Sequence, residues 1–139
     1  MNKLLLILAM TAAAGSLLFA NAIAAQIAAP AMKAARVQIT QGPELESAKD
    51  NWAIIRWRSN NPGGSDEHYG VVHYGTKPRE LSQTAKSHIR LNQTHSYTDF
   101  RVLVPGLTPR TTYYYTVDSM QANGSSDGVK STVNHLTTP

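Results

Sequence analysis

Once its apolar opening stretch is passed, the chain alternates apolar and polar residues in short runs, and turn-forming residues separate the runs. Such period-2 patterning predicts half-buried β-strands rather than helices. Arg36 to Thr40 places Val37 and Ile39 on one face and is expected to end at Gly42-Pro43, with Glu44 to Asn51 a polar connection. Trp52 to Arg58 puts Ala53, Ile55 and Trp57 on one face, and Trp57 is assigned to the core. After the turn signal Asn60 to Ser65, His68 to Gly75 turns Val72 and Tyr74 inward and Tyr69, Val71 and His73 outward. Thr76 to Lys86 reads as a loop, Ser87 to Leu91 as a short strand, and Asp99 to Val104 as a strand with Phe100, Val102 and Val104 on one face. Met120 to Gly128 reads as a polar hairpin loop. Val129 to Leu136 reads as the last strand, where the phases of Val133 and Leu136 require a bulge or a surface valine.

The strongest strand signal runs from Thr111 to Val117, which holds only β-branched and aromatic residues after the turn at Leu107 to Arg110. Pro109 fixes φ and cannot donate to a ladder, so the strand begins after it. Tyr113, Tyr115 and Val117 then share one face, and Tyr114 and Thr116 the other. The count is seven strands with no helical period after residue 26, which predicts an all-β sandwich with Greek-key connections.

The opening stretch changes the picture of domain and compartment. Lys3 gives a positive start, Leu4 to Ala20 is apolar, and small residues follow through Ala24, which is the pattern of a cleaved secretory signal. The expected organisation is a signal peptide over 1–25, an Ala-rich linker over 26–35, loosely attached, and a single domain over 36–139. The implied destination is periplasmic or extracellular, with no membrane association after cleavage. Apart from Lys3, the chain carries 12 basic and 9 acidic residues without a basic run, which argues against nucleic-acid binding. It contains no cysteine, so an exported fold of this size must be held by its apolar core.

The spacing Leu107, Pro109, Thr111, Tyr113, Val117 resembles the fibronectin type III family. The resemblance implies an immunoglobulin-like seven-stranded sandwich with a tyrosine corner, in which the hydroxyl of Tyr113 returns to the backbone a few residues upstream. A wider set of segments resembles the N-terminal fibronectin-like domain of purple acid phosphatases. These are Gln41-Gly42-Pro43, Ile55-Arg56-Trp57, Val72 to Thr76 with Leu81, Leu107 to Val117, and Leu136 to Pro139. In that family the domain is a non-catalytic accessory packed beside a metallophosphoesterase domain that carries the two-metal site. The corresponding Gly-Asp-x-x-Tyr, Gly-Asn-His and Gly-His-x-His motifs do not occur in this sequence. The resemblance therefore implies no catalytic residue, no metal and no cofactor here, and a protein partner or an adjacent catalytic domain.

The residues themselves offer little chemistry. His68 and His73 are five apart, so a strand sends them to opposite faces, and His88, His95 and His135 sit on separate segments. All are read as solvated strand histidines, and Asp66 with His68 is the only pair with same-face spacing. Gly124-Ser125-Ser126-Asp127-Gly128 matches the nucleophile-elbow pattern, but a strand rather than a helix follows it, so it reads as a hairpin turn. What remains is a surface. With the strands bearing Tyr69 and Tyr114 adjacent, Tyr69, Val71, His73, Tyr114 and Thr116 form an outer face rich in aromatics and suited to docking.

Overall fold

The structure, a computed structural model, describes residues 32–139. The expected signal peptide and residues 26–31 of the expected linker lie outside the described residues. Eight strands form two antiparallel sheets: β1 (Ile39–Lys49), β2 (Trp52–Asn60), β3 (Glu67–Gly75), β4 (Gln83–Arg90), β5 (Tyr97–Pro105), β6 (Thr112–Gln121), β7 (Ser126–Lys130) and β8 (Asn134–Thr137). One sheet has the order β1-β2-β5, the other β4-β3-β6-β7 with β8 also paired to β6. Among the described residues this is an all-β two-sheet sandwich of eight strands rather than the expected seven.

The differences from the expected elements have local causes. β1 does not stop at Gly42-Pro43 but runs on to Lys49, with register shifts between Gln41 and Glu44 and between Leu45 and Ser47. An edge strand can carry a proline at a bulge because that position owes no hydrogen bond to a neighbour. β4 begins at Gln83, inside the expected loop, and pairs residue by residue with β3 from Tyr74 to Glu67. Its polar residues hid it. The expected final strand is two: β7 and β8 are separated at Ser131 to Val133, where Ser131 Oγ accepts the Val117 amide at 2.9 Å and Val133 stays exposed. Attachment at the N-terminal end starts before Arg36, since the Ala34 amide donates to the Pro62 carbonyl at 2.7 Å and Val37 is buried.

The inward faces make one core. Ala53, Ile55 and Trp57 of β2 and Phe100, Val102 and Val104 of β5 meet Val72, Tyr74, Tyr113, Tyr115 and Val117 from the other sheet. Trp57 and Phe100 stack with centroids 5.1 Å apart, and Tyr74 meets Tyr113 edge-on at 6.2 Å. Gly70 of β3 lies under that stack. A Cβ there would sit 2.9 Å from Val102 Cγ2, 3.0 Å from Trp57 Cη2 and 3.1 Å from Phe100 Cδ1. The absent side chain is what lets the sheets close over the tryptophan.

At one end of β6 the Thr108 amide donates to the Tyr113 hydroxyl at 2.9 Å, while Thr138 Oγ1 donates to the Thr108 carbonyl at 2.6 Å and accepts the Thr111 amide at 3.0 Å. The turn before β6 and the end of the chain are thereby tied together. Tyr113→Phe leaves the Thr108 amide without its acceptor and is expected to lower stability by about 1–3 kcal/mol. Tyr114→Phe, on the opposite face, should change it by a small fraction of that. Urea midpoints of the two variants check this, and equal midpoints would contradict it.

Candidate functional site

The outer face of the five-stranded sheet is built by register. His88, Tyr69 and Met120 lie in one row across β4, β3 and β6; Lys86, Val71 and Asp118 form the next; Thr84, His73 and Thr116 the third. Tyr114 follows, opposite Gly75 and, on its other side, His135 of β8. The alternation of β3 and β6 is the one the sequence predicts, but the expected exposure is wrong at two positions. Val71 is 0% and Thr116 3% exposed. Both sit on central strands, where longer neighbours on either side, such as Lys86 and Asp118 flanking Val71, close over a short side chain. The accessible part is therefore Tyr69, His73 and Tyr114, each half-buried. Tyr69 packs edge-on against His88 at 5.5 Å and Tyr114 is tilted against His135 at 6.3 Å. His73 Nε2 is 2.9 Å from Asp118 Oδ2.

The opposite outer face, on β1, β2 and β5, differs in kind. Arg56 pairs with Glu44 at 2.7 Å, Arg101 with Glu46 at 2.7 Å, and Arg58 forks onto both oxygens of Asp99 at 2.6 and 2.8 Å. Arg58 also covers the Tyr97 ring, 4.0 Å from its centroid. The hydrogen bond from Arg101 holds the Glu46 carboxyl below its usual range, and the one from Arg58 does the same for Asp99. Both lowered carboxylates stabilise the fold above the ordinary carboxylate range, and that contribution fades as pH falls through their folded values. The three arginines and three carboxylates neutralise one another, so this face satisfies its own charges.

A polar cluster that sequence reading missed lies inside. His68 is fully buried, not solvated, and its Nδ1 is 2.9 Å from Asp127 Oδ2 while its Nε2 is 3.2 Å from the Gly63 carbonyl. Ser119 Oγ donates to the same Asp127 oxygen at 2.7 Å. A carbonyl only accepts, so Nε2 is placed to donate to Gly63, while Nδ1 faces the carboxylate. Asp66, the partner expected from spacing, instead accepts from Gln93 at 2.6 Å. The signal for Asp127 was its parity with the inward Val129, obscured by the turn-like Ser-Asp-Gly around it. The cluster contains histidine, aspartate and serine but no accessible nucleophile: Ser119 bonds to the aspartate, not to the imidazole, and all are shut from solvent. It fastens β3, β6, β7 and the loop at Gly63 together. Among the described residues no group of three or more His, Cys, Asp or Glu could hold a metal ion.

Removing the carboxylate from this cluster strands His68 and Ser119 in the interior. Asp127→Ala is expected to cost about 3–5 kcal/mol, as breaking a buried pair does. Ser119→Ala should cost only about 1 kcal/mol, the net worth of one hydrogen bond. Denaturant unfolding of both variants measures the difference, and an Asp127→Ala protein as stable as the parent would refute the role given to the cluster.

Comparison with known proteins places these features in context. The model of the purple acid phosphatase N-terminal domain matches residues 40–138. No curated protein matches the chain. Among solved structures, the sensor domain of the anti-sigma factor RsgI4 from Pseudobacteroides cellulosolvens superposes with a TM-score of 0.50 and 16% identity, over 73% of this chain and 88% of that one. The FN5 domain of Drosophila Lar gives a TM-score of 0.41 and 18% identity, over 71% of this chain and 92% of that one. At such identities the first of these speaks to the fold alone.

Proposed function

The chain belongs to the purple acid phosphatase N-terminal domain family, matched over residues 40–138, and from that membership we propose that it is a non-catalytic module that docks onto or spaces a protein partner. The observation that supports this reading best is the contrast between the two outer faces. One face cancels its own charges in three arginine–carboxylate pairs. The other presents two aromatic–histidine pairs, Tyr69 with His88 and Tyr114 with His135. Half-buried, pre-packed tyrosines bring large contact area at low entropic cost and are common interface anchors. Val71 and Thr116 support these anchors from below and contribute no contact area.

A second reading, favoured by the family match, is that the partner is a metallophosphoesterase domain, with this module as its accessory. In either case the module works without a cofactor. The apolar leader read from the sequence supports export, with docking in the periplasm or outside the cell.

The test is Tyr69→Ala combined with Tyr114→Ala. Binding to the partner that co-purifies with the exported chain should weaken by at least about thirtyfold, the loss of an anchor worth 2 kcal/mol or more, while the urea midpoint stays near that of the parent. A folded double variant that binds normally would move the site away from this face.

A further inference from the structure

Each sheet of an open sandwich ends in strands whose outer backbone groups are unpaired, and natural proteins guard such edges with prolines, bulges, shortness or charge. Three of the edges here are guarded or occupied. β1 carries Pro43 and several register shifts, and β7 is five residues long, with its pairing to β6 interrupted around Gly128, where φ is +79°. β5 ends in Pro105 and commits Asp99 and Arg101 to ion pairs with Arg58 and Glu46.

Of these devices β4 has only charge, in Lys86 and Arg90. It contains no proline and pairs with β3 over eight consecutive residues without a shift. Alternation along the ladder shows which groups it leaves free. The Leu91 amide donates to the Asp66 carbonyl at 2.7 Å, so Ile89, Ser87 and Ala85 point their backbone groups at β3, and Arg90, His88, Lys86 and Thr84 point theirs away. On the far side of β3, the Ala122 amide donates to the Glu67 carbonyl at 2.9 Å, which fixes the same alternation independently.

The four residues with free backbone groups are also those whose side chains stand on the sheet's outer face, opposite His73, Val71, Tyr69 and Glu67. Lys86 forms no ion pair among the described residues, and Arg90 and His88 reach Asp66 and Glu67 only at 3.8 Å. No carboxylate lies on β4 itself. The inner side of the same strand is apolar or small: Ala85, Ser87 and Ile89.

We infer that β4 is a strand-addition site for an extended segment that alternates acidic and apolar residues, the acidic side chains standing beside Lys86, His88 and Arg90 and the apolar ones continuing the inner face beyond Ala85 and Ile89. Main-chain hydrogen bonds supply the attachment and the alternation supplies the selectivity. The same charges reject the alternatives. Two copies of this chain pairing β4 to β4 would set Lys86 and Arg90 against one another, and like charges directly opposite across strands repel. Residues 1–31 of the chain contain no acidic residue, so its own leading segment cannot supply the complement. Positive charge on an otherwise open edge thus serves as a filter: it blocks self-association and admits an acidic strand.

The test uses the purified chain and a blocked nine-residue peptide of alternating valine and glutamate, with a twin in which lysine replaces every glutamate. At saturating peptide, amide hydrogen exchange followed by NMR should slow by at least about tenfold at Thr84, Lys86, His88 and Arg90 and remain unchanged in the β5 and β7 edges. The lysine twin should give no protection. Lys86→Glu should weaken the acidic peptide by at least about tenfold and admit the lysine twin. Lys86→Pro removes one free donor without touching the β3 ladder and should abolish protection; if it fails to fold, Lys86→Glu carries the test alone. Tyr114→Ala should leave the protection intact, so loss of the docking face and loss of the edge site are distinguishable. No slowing at millimolar peptide, equal slowing by both peptides, or slowing at β5 or β7 instead would each overturn the inference.

Discussion

Everything in this domain depends on the bare backbone at Gly70. With no cysteine to cross-link the sheets, cohesion comes from apolar packing between them, and the stacked Trp57–Phe100 pair of one sheet rests on β3 of the other where a Cβ at Gly70 would fall 2.9–3.1 Å from Val102, Trp57 and Phe100. Interiors packed to crystal density do not absorb an added methyl at such distances without displacement. The glycine therefore sets the approach of the two sheets at the centre. Because it helps to fix which side of β3 faces inward, it bears on which residues of β3, β4 and β6 stand outside, and so on the composition of both the face that carries Tyr69 and Tyr114 and the β4 edge.

Polar contacts close the two ends of β6. At one, the Tyr113 hydroxyl takes the Thr108 amide and Thr138 links the chain's end to the same turn. At the other, Asp127 gathers His68 and Ser119 while His68 reaches Gly63. The Gly63 loop in turn receives the incoming chain through the Ala34 amide on Pro62. Burial makes these groups fasteners; the same three residue types, reachable by solvent and reordered, would be read as catalytic machinery.

Strand parity was legible wherever β-branched and aromatic residues alternated without interruption, as from Thr111 to Val117 and around Trp57. Four things were not. Gly42-Pro43 looked like a terminator because the signal for a strand end and for a bulged edge is the same dipeptide. The first residues of β4 are polar on both faces near a sheet edge, so no period marked them. Exposure at Val71 and Thr116 depended on the lengths of side chains on neighbouring strands, and the pairing of His68 with Asp127, 59 positions away, depended on a fold that local spacing does not encode.

The proposed function, then, rests on surfaces, and the buried polar cluster is assigned to stability. One assay separates the two most directly: the purified chain, supplied with divalent and ferric ions, offered a chromogenic phosphate monoester. Chemistry on such an ester needs paired metals held by several preorganised ligands, and the account predicts hydrolysis no faster than in buffer with the same ions. Turnover above that background, retained by the double substitution of Tyr69 and Tyr114 but lost in a folded Asp127→Asn protein, would contradict it.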